Sequence, residues 1–352
     1  MTFRHTMRAA TLCAVLPVVA LAQGTVDARC QPGTPSSVVG TSGEGGDACQ
    51  KGIDLFNFMA PQLGMVISSG NATLGQAGAL GGLGRFTFSL RGNALQGGVP
   101  DIGDVAVSTG SANSSAYGVD KQVIPMVGAE GAIGLFGGIP VGLSSVLGVD
   151  ALVSAFYVPE YNAGFKDESE RFAIETPDEK IKVGYGVRIG LIGESLSLPG
   201  VSFTWLKRDL PGTNILARPN SNSEISLLNF DNNTTAWRLV AGKRLGPAGI
   251  ALGYGKDVYK SNTDLTYGIT DEACSIVCVP TMPREGSFRF DRKTKATTFF
   301  GDLMLNVGLF TIVGEIGQVK ADDVDAGDFF NTFSESPAKS RLYGSVGFRL
   351  GR

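Results

Sequence analysis

Seven arginines (Arg85, Arg91, Arg188, Arg238, Arg244, Arg341 and Arg349), with Lys180 and Lys182, fall on the polar phase of segments that alternate charged or small residues with large apolar ones. Glu130, Asp257, Asp302 and Glu315 share that phase. In a strand, successive side chains point to opposite faces, so these groups would converge on one side of a sheet. Rings of basic groups around a lumen concentrate anions or phosphorylated solutes. Across a narrow lumen, the same residues would instead pair as salt bridges that fill it.

The alternation is plainest over 180–191, where Lys, Gly and Arg occupy even positions and Ile, Val, Tyr and Leu odd ones. Phe86, Phe88 and Leu90 oppose Arg85, Ser89 and Arg91, while Trp237 and Leu239 oppose Arg238. Phe299, Leu303 and Leu305 oppose Asp302, and Leu342, Val346, Phe348 and Leu350 oppose Arg341 and Arg349. Repeated two-faced segments of about ten residues are the pattern of a barrel with lipid outside and water inside.

Residues 1–22 read as a secretory signal peptide: Arg4 and Arg8, the apolar run Ala9 to Ala22, and an Ala-Leu-Ala close. No later stretch is long and apolar enough for a spanning helix. The single histidine, His5, lies in the signal. Chemistry that requires an imidazole is thereby excluded from the mature chain, and no enzyme activity or cofactor is expected. Removing Arg4 and Arg8 from 30 basic residues leaves 28 against 33 acidic ones with no basic run, which gives no support for nucleic-acid binding.

Cys30, Cys49, Cys274 and Cys278 remain after the signal, an even number that favours disulfides in an exported chain, with Cys30–Cys49 and Cys274–Cys278 the sequence-near pairing. Their spacing lacks the paired knuckles of a zinc site, and no metal is expected. The carboxylates of 322–328 lack the remaining positions of a calcium loop and read as a solvated acidic loop.

Short connectors near 81–84, 138–145, 195–200, 246–249 and 306–309 alternate with long polar ones. The rhythm predicts an all-β fold, a single transmembrane antiparallel β-barrel over 63–352, preceded by a periplasmic or plug segment at 23–62. Twelve strands are expected, the first two at 63–69 and 71–80. Fourteen follow if 223–230 or 263–269 enter the wall. Ile53, Phe56 and Met59 predict a short helix ending before Pro61. Met126, Phe136, Leu152 and Phe156 form an apolar inner stripe suited to packing on that helix or to passing a hydrophobic solute.

Through its signal, its turn-and-loop rhythm and its amphipathic last strand, the chain resembles the bacterial outer-membrane β-barrel superfamily over roughly its last 290 residues. It differs in ending Phe348-Arg349-Leu350-Gly351-Arg352 rather than on an aromatic residue. It is distantly similar to hydrophobic-substrate transporters of the fatty-acid type, which place a plug before the barrel. The resemblance implies an outer-membrane location, with membrane lipid, lipopolysaccharide and the barrel-assembly machinery as partners. It also implies passive transport of small solutes, anionic or hydrophobic; a closed barrel acting as a surface scaffold or receptor through its outer loops is the alternative.

Overall fold

The computed structural model describes residues 24–351 apart from 44, 104, 106, 109, 161–170, 178–179, 221–222, 270–271, 275–277 and 281–283. The expected signal peptide lies outside the described residues. A single sheet of twelve strands forms the wall: β1 (Phe86–Pro100), β2 (Val119–Phe136), β3 (Gly148–Tyr157), β4 (Phe172–Glu175), β5 (Ile181–Ile192), β6 (Gly200–Asp209), β7 (Thr213–Asn220), β8 (Ser223–Leu245), β9 (Ala248–Ile269), β10 (Arg284–Val307), β11 (Phe310–Ala321) and β12 (Arg341–Gly351). Every neighbouring pair is antiparallel.

The last strand pairs with the first, Phe88 opposite Leu350, and β8 pairs with both β6 and β9, so the sheet closes on itself. The closed circuit runs through ten strands. β7 continues the line of β6 along the loopward half of β8, and β4 pairs with β7 there. Closure removes unpaired edges, which is what a sheet in hydrocarbon requires. The alternation assigns the faces: Phe88, Leu90, Leu239, Phe299, Leu303, Val346 and Phe348 are exposed outside, while Arg91, Arg238, Asp302 and Ser345 are buried inside. Phe203, Trp237, Tyr254 and Phe299 form a chain of outer ring contacts, with Trp237 to Tyr254 at 5.5 Å and Tyr254 to Phe299 at 4.9 Å, and Tyr185 meets Trp205 at 6.1 Å on the neighbouring strands. An apolar outer band, an aromatic row and a polar interior define a transmembrane β-barrel.

The strands expected at 63–69 and 71–80 are not strands. Helix α1 (Gly46–Ser68) runs inside the barrel through Pro61, and 69–84 is an irregular strap that leads to β1. The segments 223–230 and 263–269 do enter the wall, but as the loopward ends of β8 and β9 rather than as added strands, so the sheet keeps twelve. Phe136 was expected inside and is 49% exposed outside. A register shift between Gly134 and Phe136 inserts one residue into β2 and inverts the phase beyond it.

The chain enters at the long-loop end. Gly24 N donates to Phe329 O at 2.9 Å, and Cys30 is joined to Cys49 in the first turn of α1. At the second expected pair, the backbone places Cys274 opposite Cys278 in a short hairpin; their side chains lie outside the described residues. Closing a loop of sequence separation 19, the Cys30–Cys49 bridge contributes about 3 kcal/mol by restricting the unfolded chain. Cys30→Ser with Cys49→Ser should lower stability by that amount in detergent-based unfolding and make 24–45 the first segment cut by protease.

Candidate functional site: the plugged lumen

Helix α1 is buried on nearly every side, so it fills the loopward half of the barrel. Its apolar residues meet an apolar upper wall: the Phe56 ring lies 5.8 Å from Phe230 and 5.0 Å from Phe290, both edge-on. Gly64 packs where a Cβ would strike the Tyr259 ring, which explains a glycine inside a helix. At the helix start, Asp47 forms an ion pair with Lys51 at 2.5 Å and accepts from Ser108 N at 2.7 Å and Asn113 N at 2.9 Å. A carboxylate there satisfies the positive end of the helix. Asp27, in the cap outside the wall, is held below the usual carboxylate range by hydrogen bonds and charge from Arg29. Arg29 itself lies 4.3 Å over the Phe290 ring.

The lower half of the lumen is charged. Carbonyls at a helix C-terminus lack helical partners and carry partial negative charge, and here wall guanidiniums supply the donors. Arg208 donates to Ile67 O at 3.2 Å and Ala72 O at 3.3 Å; Arg238 donates to Ser68 O and to Gly70 O at 2.8 Å. Arg91 reaches Asn71 O at 2.9 Å, and Arg349 reaches Leu74 O at 2.9 Å and Gly75 O at 2.6 Å. Arg188 donates to Thr73 Oγ1. Carboxylates take the opposite groups of the same strap: Glu315 accepts from Asn71 N at 2.8 Å, Asp302 from Asn71 Nδ2 at 2.7 Å, and Asp150 from Leu80 N at 3.1 Å.

These clamping groups also pair with one another. Arg91 bridges Glu130 and Glu315, both at 3.1 Å; Arg208 shares Glu130 at 2.9 Å; Arg188 meets Asp150 at 2.7 Å and Arg238 meets Asp257 at 2.7 Å. Four arginines thus pair with four carboxylates in a buried cluster where charges persist only if paired and hydrogen bonded.

The residues singled out in the sequence separate into three groups. Arg91, Arg188, Arg238, Asp302, Glu315 and Arg349 meet around the strap. Arg341 is buried higher up, on Glu335; Lys180 is half-exposed at the loopward end with Glu160 at 3.2 Å, and Lys182 is half-buried beside it. Arg85 and Arg244 line the opposite mouth, Arg244 exposed with Glu194 at 3.1 Å. Met126, Leu152 and Phe156 are buried inside, and the Phe156 ring lies 4.9 Å from the Arg208 guanidinium.

Arg208 and Asp150 were missed. Their phase was readable, because Phe203 and Trp205 point out and Thr204 and Arg208 share the other parity. The acidic run 322–328 is used locally: Asp325 and Asp328 cap a short 3-10 helix and Asp328 pairs with Arg292 at 3.2 Å. Among the described residues, no group of three or more histidine, cysteine or acidic side chains is placed to hold a metal ion.

Beneath the strap, a cavity of about 550 Å³ opens at the short-turn mouth. Arg85, Lys243, Arg244 and Arg349 line it against Glu194, so its charge is positive. Between α1 and the upper wall lies a cavity of about 30 Å³, lined by side chains such as Leu55, Met59 and Leu227.

No protein-family model and no curated protein matches the chain. Solved structures to which it is similar include the translocator domain of autotransporter NalP from Neisseria meningitidis, at 9% identity over 86% of this chain and 97% of that one, with a TM-score of 0.31. The Ralstonia pickettii toluene transporter TbuX is 12% identical over 79% of this chain and 91% of that one, TM-score 0.22. An anion-selective porin from Comamonas acidovorans is 9% identical over 76% and 97%, TM-score 0.18.

Proposed function

We propose that this chain is a bacterial outer-membrane barrel, delivered by its signal peptide and the barrel-assembly machinery, that moves small solutes and is shut at rest by its own N-terminal chain. The observation that carries the reading is the run of carbonyls from Ile67 at the end of α1 to Gly75 in the strap, seated on wall arginines. Polar clamps of this kind hold a strap while leaving it exchangeable with water, whereas an apolar seal would not. The positive vestibule favours small anions as cargo, since four basic groups face one acid there. The upper cavity of about 30 Å³ has no room for an organic solute while α1 is in place.

Planar-bilayer conductance tests this. The wild-type barrel should show rare openings. Arg238→Gln with Asp257→Asn keeps the lumen neutral while weakening the hold on Ser68 and Gly70, and it should open discrete, anion-preferring channels at least tenfold more often. Arg85→Glu with Arg244→Glu should then turn that preference toward cations. Silence from both the wild type and the folded double variant, with no accelerated liposome swelling, would rule the transport reading out.

The second reading, a closed surface scaffold, is favoured by the cap of 24–43, which is tied across the loop mouth by Gly24 to Phe329 and by the Cys30–Cys49 bridge. In that case, removing outer loops abolishes partner capture while conductance never appears.

A further inference from the structure

The chain ahead of β1 crosses the lumen once, from one mouth to the other. Gly24 N donates to Phe329 O in the long connector between β11 and β12, while Arg85 and Thr87 line the short-turn mouth, where Thr87 stands across from Gly351. Between these points lie the cap of 24–43, α1 and the strap. At about 1.5 Å per residue the 23 residues of α1 are about 34 Å long, and with the strap below it the segment is longer than a bilayer's hydrocarbon core is thick. Outer-membrane barrels keep their short turns in the periplasm and their long loops outside. In that orientation Gly24 stands on the outer side, whereas cleavage of a signal peptide leaves the new N-terminus on the inner side. The first residues have to cross.

Low in the lumen, the wall grips main chain more than side chains. Seven carbonyls between Ile67 and Gly75 accept from Arg91, Arg208, Arg238 and Arg349, which stand on four different strands. The amides of Asn71, Leu74 and Leu80 donate to Glu315, Glu130 and Asp150. Side-chain contacts with the wall come from Asn71, Thr73 and Gln76. A peptide group offers the same donor and acceptor whatever side chain it carries, so guanidiniums and carboxylates spaced around a lumen can serve successive peptide groups of any extended chain. The passage is also narrow. A Cβ at Gly70 would meet the Glu315 carboxylate, and one at Gly75 the side chains of Val313 and Met304. It has room for a single chain and none for a folded domain.

We infer that the barrel exports its own N-terminal segment: unfolded polypeptide is a cargo of this lumen, carried outward past the backbone-binding lower half, and the delivered segment stays behind as plug and cap. The upper half accounts for its staying. There the chain is helical, Phe56 packs edge-on against Phe230 and Phe290, and the Cys30–Cys49 bridge fastens the cap to α1. Apolar burial above thus holds what polar contacts below let pass. The inference rests on the signal peptide and on the long loops facing outward, and it is independent of whether the plug ever opens to solutes.

The full chain, made in a Gram-negative host, would carry one short epitope tag at a time: between Gln23 and Gly24, after Ser336 in the long connector, or after Gly142 in a short one. Antibody binding is read on intact cells and again after the outer membrane is permeabilised. The tag ahead of Gly24 should be reached on intact cells as well as the one after Ser336, and about tenfold better than the one after Gly142. An N-terminal tag reached only after permeabilisation overturns the inference, whether the Ser336 tag lies outside or the whole barrel is reversed. The route is tested by placing cargo between the tag and Gly24. A flexible glycine-serine stretch of about forty residues should be carried out with the tag. A small disulfide-closed domain should hold the tag inside, and the same domain with its cysteines replaced, so that it stays unfolded, should let the tag out. Equal display of the folded and unfolded forms would mean that the lumen is not the path. Heat-modifiable migration reports wall closure in each fusion; where a fusion does not close its wall, the bare tag ahead of Gly24 decides alone. Bilayer silence of the same protein would count against solute transport and leave the display result standing.

Discussion

Arg91→Ala should destabilise the folded barrel by about 3–5 kcal/mol, because it strands buried carboxylates that the guanidinium now neutralises. Arg91 touches Glu130 and Glu315, Asn71 O, Asn93 Oδ1 at 2.7 Å and Ser345 Oγ at 2.9 Å, so a single truncation removes the contact that joins the strap to β2, β11 and β12. Urea unfolding in detergent, followed by heat-modifiable migration, measures the loss. Glu130 retains Arg208, whereas Glu315 keeps no other arginine. Arg91→Met with Glu315→Gln should therefore recover a large part of the cost. If the double variant is as unstable as the single one, the penalty comes from lost packing rather than stranded charge. Bilayer recordings on Arg91→Ala give a second readout: freed from its carbonyl at Asn71, the strap should admit ions. Gly70→Ala checks the same corner without removing a charge. Gly70 has φ of 91°, and a Cβ there would run into the Glu315 carboxylate and the Arg91 guanidinium.

The wall was legible because one periodicity governs it. A strand in contact with lipid on one side and a polar lumen on the other cannot exchange its faces without inverting every side chain, so phase read from Phe88 or Phe348 carries to Arg91 and Arg349. Phe136 shows the limit, since one inserted residue in β2 reverses the phase and no local composition announces it.

The plug was less legible, for a different reason. Helix α1 has no solvent face: Asp47, Lys51, Asp54 and Asn57 are as buried as Ile53 and Phe56. A helix among polar partners on one level and apolar ones on the next loses the single apolar stripe that marks an amphipathic helix. The apolar run at 63–67 then reads equally well as a strand. What the chain does disclose is glycine at 64, 70 and 75, where the plug passes against Tyr259, Glu315 and Val313. Those positions are intelligible once the lumen is known to be occupied. The arginines were visible in the sequence, but whether they face water or a polypeptide depends on the bore, and the bore depends on closure between β1 and β12, which lie at opposite ends of the wall in sequence.

Phe56→Ala separates holding the plug from closing the pore. The ring is fully buried between Phe230 and Phe290, and its truncation leaves a cavity that a closed wall cannot collapse to fill, at a cost of about 3–5 kcal/mol. The arginine clamp begins eleven residues later, at Ile67, and nothing in it touches Phe56. Phe56→Ala should accordingly lose as much stability as Arg91→Ala in the same unfolding experiment while its conductance stays at the wild-type level. This pairing follows from the two storeys of the lumen: apolar packing above fixes where the helix sits, and paired charge below decides whether the passage is open. Should Phe56→Ala open the channel as readily as Arg91→Ala, closure would be spread along the whole plug, and the clamp would lose its special place in the mechanism.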